Sequence, residues 1–131
     1  MSTTPELKAH LDRAVDLFDQ AWKRGAWQPF IDQFASEFVF EFPVGEKAGR
    51  WYGVEAVEKR DAWRQTHEPS DRIVDTGEDL RLYDGHWVVV CDHSRGTLGG
   101  RPYQGTETVM MKVDEEGRIV EYREFLGGLG R

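Results

Sequence analysis

Apolar residues recur at three- and four-residue intervals near the start of the chain, at Leu7, Leu11, Ala14, Val15, Phe18, Ala21 and Trp22. That spacing lays a single stripe along a helix. Thr4 is placed to cap it, Pro5 suits the first helical position, Glu6 complements the positive end of the dipole, and Gly25 marks the stop. A second, shorter helix is predicted from the stripe Trp27, Phe30, Ile31 and Phe34. The period then changes to two. Phe38–Pro43 alternates and is rich in aromatic and β-branched residues, which predicts a strand stopped by Pro43. Val44–Gly53 holds Gly45, Gly49 and Gly53 around Trp51 and Tyr52 and reads as a covering loop. Val54–His67 predicts a third helix, with Val54, Val57 and Trp63 on one side, ending before Pro69.

Strands fill the rest. Arg72–Tyr83 is turned by Asp84-Gly85 into His86–Thr97, which Gly99-Gly100 turns into Tyr103–Val113. Asp114–Gly117 leads into the closing strand, Gly117–Gly127. The order helix, helix, strand, helix and then antiparallel strands predicts an α+β fold. In it a curved, mostly antiparallel sheet wraps around the N-terminal helices as a cone with a pocket.

Alternation along the closing strand puts Val120, Tyr122, Glu124 and Leu126 on one face and Ile119, Glu121, Arg123 and Phe125 on the other. Each face carries a carboxylate and bulky apolar groups, so periodicity does not say which is inside. If the first set is inside, Glu124 is a carboxyl group in an apolar cavity beside Tyr122. Desolvation raises such a pKa and suits the group to acid/base work near neutrality. The alternative is a solvated glutamate on an ordinary strand. The strand containing Trp87-Val88-Val89-Val90-Cys91 is equally open. Either Trp87, Val89, Cys91, His93 and Arg95 point inward, or Val88, Val90, Asp92 and Ser94 do.

The 131 residues suffice for one domain, 1–131, and a single core. A net charge of −7 argues against nucleic acid or an anionic membrane surface as partner. No apolar run approaches the roughly 20 residues needed to span a bilayer. The N-terminal stretch has no apolar signal core, so a cytoplasmic location is expected. Cys91 is the only cysteine, which excludes an internal disulfide and a multi-thiolate zinc site. The histidines show no pair at ligand spacing on one helix, so no metal site is expected. No phosphate-cradling glycine motif is present, and no cofactor is expected.

The order of elements, with Phe34–Gly45 and the closing Asp-Glu-Glu-Gly-Arg-Ile-Val-Glu-Tyr-Arg-Glu-Phe, resembles the nuclear transport factor 2-like superfamily in its SnoaL-like, polyketide cyclase-like branch. The resemblance covers almost the whole chain and implies a cystatin-like cone with a deep hydrophobic pocket, often dimeric through the outer sheet face. Phe-Glu-Phe-Pro-Val-Gly at 40–45 is similar to the segment that carries the base of ketosteroid isomerase, the environment-tuned carboxyl system of the same superfamily. The polar positions of that enzyme fall here on Phe42, Val109 and, on the first helix, about Phe18, which removes its chemistry.

Closer likeness is to the phenazine-biosynthesis A/B type proteins. It rests on Gly85-His86-Trp87 leading to Cys91-Asp92, on Trp63, and on Arg123-Glu124-Phe125. There the last glutamate lies in the pocket as acid/base, which implies that role for Glu124; a histidine and a serine of that group stand here as about Arg60 and Arg64. The superfamily register turns Tyr122 and Glu124 inward, along with Tyr103, Glu107, Val109 and Met111. Two inward carboxylates would push each other's pKa values apart. The implied function is cofactor-independent proton transfer on a hydrophobic, carbonyl-bearing small molecule: isomerisation, cyclisation, dehydration or condensation. Glu124 would be the acid/base, with Tyr122 and one of Asp92 or His93 polarising the substrate. Phe18, Trp22, Phe40, Phe42, Trp63, Glu107, Val109 and Met111 would surround it. A non-catalytic ligand-binding module and a dimerisation scaffold are the alternatives.

Overall fold

The structure, a computed structural model, describes residues 2–42, 49–64 and 71–127. Helix α1 spans Pro5–Arg24, its first turn closed by Leu7 N–H donating to the Thr4 hydroxyl at 3.2 Å. It ends on Gly25, whose φ of 71° is the left-handed conformation that glycine adopts without strain. Helix α2 is Trp27–Ile31 and α3 is Gly53–Arg64. The strands are β1 Phe34–Phe42, β2 Gly49–Tyr52, β3 Ile73–Asp84, β4 Trp87–Leu98, β5 Arg101–Val113 and β6 Ile119–Gly127. They form a six-stranded sheet in the order β2-β1-β6-β5-β4-β3. The pairing is antiparallel except between β1 and β6, which run parallel. This is the mixed, curved-sheet α+β architecture expected from the order of elements.

Some boundaries differ from the sequence reading. Phe34 opens β1 instead of closing the second helix, and β1 carries a register shift between Phe34 and Val39. Within the stretch read as a covering loop, 43–48 lie outside the described residues, whereas Gly49–Tyr52 pairs with β1 as a short strand. Cross-strand stacking of Trp51 on Phe40, centroids 5.7 Å apart, supports that pairing despite the flanking glycines. For the third helix, 65–70 lie outside the described residues. Among the described residues no helix is long and apolar enough to cross a membrane.

The α1 stripe does what its spacing predicts. Leu7, Leu11, Ala14, Val15, Phe18 and Ala21 are buried, and the core continues into Val88, Val90, Val109, Met111, Val113, Ile119 and Tyr122 on the inner face of the sheet. Strict alternation on β6 is broken at its start. Val113 pairs with Ile119 and Lys112 with Glu121, so Val120 is an extra residue in the ladder. The bulge brings Ile119 inside together with Tyr122 and leaves Val120 half-buried. Asp12 ties the helix to edge strand β3 by accepting from the Tyr83 hydroxyl and from Arg81 Nη1 at 2.8 Å. Burial opposes ionisation of Asp12, but these donors and Lys8 outweigh it and hold the carboxyl below its ordinary range.

The start of β3 is clipped onto the far end of β4. Thr97 N–H donates to Arg72 O at 2.8 Å, and the Asp71 carboxylate accepts from the backbone N–H groups of Gly99 and Gly100 at 2.7 and 3.0 Å. Gly96 permits the approach, because a Cβ there would lie 2.0 Å from Arg72 O and 2.8 Å from Ile73 Cα. Both obstacles are backbone, so no side-chain rotation relieves the clash. Gly96→Ala is expected to destabilise by roughly 1–3 kcal/mol or more, read as a lower urea midpoint; an unchanged midpoint would show that this end of the sheet gives way freely.

Candidate functional site: a carboxyl-lined cavity

A cavity opens between α1 and the inner face of the sheet, with about 530 Å³ of empty space counted out to its mouth. From α1 come Phe18, Asp19, Trp22 and Lys23, an apolar and a charged i,i+4 pair one residue apart. Strand β3 contributes Ile73 and Thr76, and β4 contributes Asp92, Ser94 and Leu98. Tyr103 and Glu107 on β5 and Glu124 on β6 complete it. Aromatic and aliphatic walls thus enclose carboxyl groups from α1 and three adjacent strands.

Glu124 is only 2% exposed. Its Oε1 accepts the hydroxyl of Tyr122, which projects from the same face of β6 two residues earlier. Tyr122 is itself fully buried, its ring 5.6 Å from Phe18, 5.8 Å from Phe30 and 5.7 Å from Phe40. That aromatic nest fixes the hydroxyl, and the hydroxyl fixes the carboxyl group.

A second polar cluster spans β4 and β5. Ser94 Oγ donates to Glu107 Oε1 at 2.5 Å, and the Tyr103 hydroxyl donates to the same oxygen. Glu107 Oε2 is buried and has no hydrogen-bond donor among the described residues. Asp92 stands directly opposite Glu107 in the β4–β5 register. Burial, then hydrogen bonding to Glu107 and its charge, push the Asp92 carboxyl up to about 8, with the charges of Asp19 and Glu124 acting in the same sense. Burial and the neighbouring Glu107 also raise the Tyr103 hydroxyl, which keeps it a donor. Burial raises Asp19, while Lys23 and Arg81 pull it back down.

The inward set on β4 is therefore Val88, Val90, Asp92 and Ser94. The same alternation turns His93 out of the cavity. It sits on the opposite face of the sheet, its side chain 60% exposed, with Nδ1 3.1 Å from Asp79 Oδ1 and its ring over Gly77. His93 cannot reach a ligand in the cavity from there, which corrects its inclusion in the candidate set. Phe18, Trp22, Asp92, Glu107 and Glu124 line the cavity, and Tyr122 supports Glu124 from beneath. Phe40, Phe42, Val109 and Met111 instead belong to the packed core and do not line the cavity. Val109 and Met111 lie beside Glu124 and Tyr122 in the β5–β6 pairing, and Phe40 is sandwiched by Trp51 and Tyr122, so these side chains are taken up by protein. Trp63 is on α3, but its side chain lies outside the described residues. The sequence reading missed Asp19, Lys23, Ile73, Thr76 and Leu98. The first two had a signal, since they flank Phe18 and Trp22 on the same helix edge.

A family model for the SnoaL-like domain matches residues 14–122. The chain belongs to the SnoaL-like family. Among solved structures, an NTF2-like protein from Anabaena variabilis ATCC 29413 is 25% identical, with a TM-score of 0.81 over 99% of this chain and 96% of that one. A putative isomerase from Bacillus subtilis is 18% identical, with a TM-score of 0.73 over 94% and 90% of the two chains. A LEH-like epoxide hydrolase from M. tuberculosis is also 18% identical, with a TM-score of 0.69 over 93% and 85%. The latter two speak for the fold alone. A search of curated proteins finds no match. In this SnoaL-like domain Phe42 and Val109 are core residues, and the polar groups cluster on Asp92, Glu107 and Glu124 instead.

Asp92 has a folded pKa of about 8 against an ordinary value of 3.8. Between those values the folded chain holds a proton that the unfolded chain has lost, so this contribution to stability is full below the lower value and declines as pH rises through about 8. Asp92→Asn cannot ionise. Its Tm is expected to fall less than the wild-type Tm between about pH 5 and about pH 8.5, and parallel Tm profiles would refute the raised pKa.

Proposed function

We propose that the cavity is the active site of a small-molecule enzyme that moves a proton on an apolar, carbonyl-bearing substrate without a cofactor. The observation that carries this reading is the pairing of Glu124, buried at the cavity with one oxygen held by Tyr122, with Asp92, a neutral acid at neutral pH on the same inner face. A carboxyl group that keeps its proton at neutral pH, beside a second carboxyl on the same face, suits acid and base roles in one site. Asp92 donates a hydrogen bond to the substrate carbonyl oxygen. Glu124 takes a proton from the adjacent carbon, the electron pair moves onto the oxygen as an enolate, and the same carboxyl returns the proton to a different carbon. Isomerisation, cyclisation, dehydration and condensation all share that first step. Phe18, Trp22, Ile73 and Leu98 supply the apolar walls.

Deuterium uptake tests the shared step without knowledge of the natural substrate. Wild-type protein in D2O is expected to accelerate exchange of the α-protons of 2-tetralone, followed by NMR. Glu124→Gln is expected to lower that acceleration by at least about 100-fold with the fold intact. Equal exchange rates with both proteins would defeat the catalytic reading and leave a binding module.

We propose also that the molecule is a homodimer through the outer face of the sheet. Cross-strand rows of Leu82, Val89 and Met110, and of Leu80, Cys91, Thr108 and Phe125, run across that face. Leu80 is 47% exposed and Leu82 53% on β3, and Phe125 is 38% exposed on β6 at the other end of the same row, where water contact is unfavourable. Sedimentation equilibrium is expected to give a dimer that Leu82→Asp converts to a monomer. A monomeric wild type would sink this assignment.

A further inference from the structure

Asp92 and Glu107 face each other across the β4–β5 ladder with an uneven supply of donors. Glu107 Oε1 accepts from Ser94 Oγ and from the Tyr103 hydroxyl, both donors fixed on neighbouring inward positions. Glu107 Oε2 is enclosed and lacks a donor among the described residues. Asp92, by contrast, receives no hydrogen bond from the described residues apart from its contact with Glu107. Adjacent carboxyl groups withdrawn from water do not both ionise. Ser94 and Tyr103 both donate to Glu107, which leaves the proton of the pair on Asp92.

We propose that Asp92 and Glu107 share a single proton, that Glu107 is the positioning residue that keeps Asp92 a donor, and that the cavity therefore selects ligands presenting an uncharged acceptor over ligands presenting a carboxylate or phosphate. The selectivity rests on the reading of the cavity as a ligand site; the proton sharing does not.

The charges around Asp92 support the selectivity. Asp19 and Lys23 face it from α1, Glu107 and Tyr103 from β5, and Glu124 from β6. On β3, Glu78 pairs with Asp92 in register, and Arg81 is held by Glu78 and by Asp12. Lys23 is the only cationic side chain among the described lining residues, against the carboxyl groups of Asp19, Glu107 and Glu124. A second anion brought into this partly desolvated space meets repulsion that water screens poorly. A ketone or aldehyde oxygen meets the Asp92 proton without that penalty.

Carboxyl-carbon NMR across pH tests the sharing. In the wild type Asp92 is expected to titrate at about 8. In Glu107→Gln its titration is expected to move down toward the ordinary carboxylate range, because the neighbouring charge is gone. An Asp92 titration unmoved by that substitution would overturn the sharing and leave burial alone as its cause. Should Glu107→Gln not fold, Tyr103→Phe gives the opposite shift: with one donor stripped from Glu107 the pair holds its proton more tightly, and the titration moves up. No movement there also overturns the sharing.

The ligand arm uses 2-acetylnaphthalene and 2-naphthoate, which share a ring system and differ in the charge of the acceptor, with the Trp22 indole N–H resonance as reporter. The ketone is expected to bind at least tenfold more tightly at pH 7 and to weaken as pH rises through about 8. In Asp92→Asn, whose amide keeps a donor toward Glu107, that pH dependence is expected to vanish. Equal or tighter binding of the naphthoate, or binding of neither compound, overturns the selectivity while the titration still decides the sharing. The deuterium-exchange result separates either failure from a failure of the catalytic reading.

Discussion

A carboxyl group removed from water has to be given donors or keep its proton, and the inner face of this sheet meets that demand in two places. On β6 the donor is Tyr122, two residues from Glu124 on the same face. Across β4 and β5 the donors to Glu107 are Ser94 and Tyr103, and burial beside Glu107 raises the proton affinity of Asp92. Each solution depends on pairing register. A slip of one residue in β4 would turn Asp92 and Ser94 outward and bring His93 in, and a slip in β6 would expose Tyr122 and bury Arg123. Polar bonding and apolar packing therefore select the same alignment, and the cavity is a product of that alignment.

Much of the fold was legible because its signals were local. The 3.6-residue stripe of α1, the cap at Thr4, the stop at Gly25 and the Asp84-Gly85 turn each follow from a few neighbouring residues. The facing of the strands was less legible. On β4 the outward Trp87, Val89 and Cys91 are as apolar as the inward Val88 and Val90, so alternation carries no label. That ambiguity has a physical origin in the outer face of the sheet, which bears an apolar surface of its own. On β6 the family resemblance, more than the period, gave the direction of Glu124, and the bulge at Val120 shows why the period alone was insufficient.

Depth within the cone was beyond the sequence altogether. Phe18 and Phe40 look alike as aromatic residues at inward positions, yet one faces the cavity and the other is closed off by Trp51 and Tyr122. The difference is set by Trp51, on a strand whose glycines resemble a loop, and by Tyr122. Asp19 illustrates the converse. Its place beside Phe18 on the helix edge is legible, but its burial follows only once the edge of the sheet closes beside it.

The parallel contact between β1 and β6 has a consequence for assembly. Phe40 pairs with Tyr122 across most of the chain, whereas β3, β4 and β5 pair with their immediate successors through short turns. Hairpins close small loops, β5–β6 included, whereas docking of β1 on β6 closes a large one, which favours a late place for that contact in folding. The packing of Phe40 on Tyr122, which holds the hydroxyl that meets Glu124, comes with that docking. Any excursion that frees β6 from its slot would dissolve the ligand chamber while leaving the β3–β5 meander standing, so protection of the β6 amides from hydrogen exchange doubles as a gauge of how often the chamber exists.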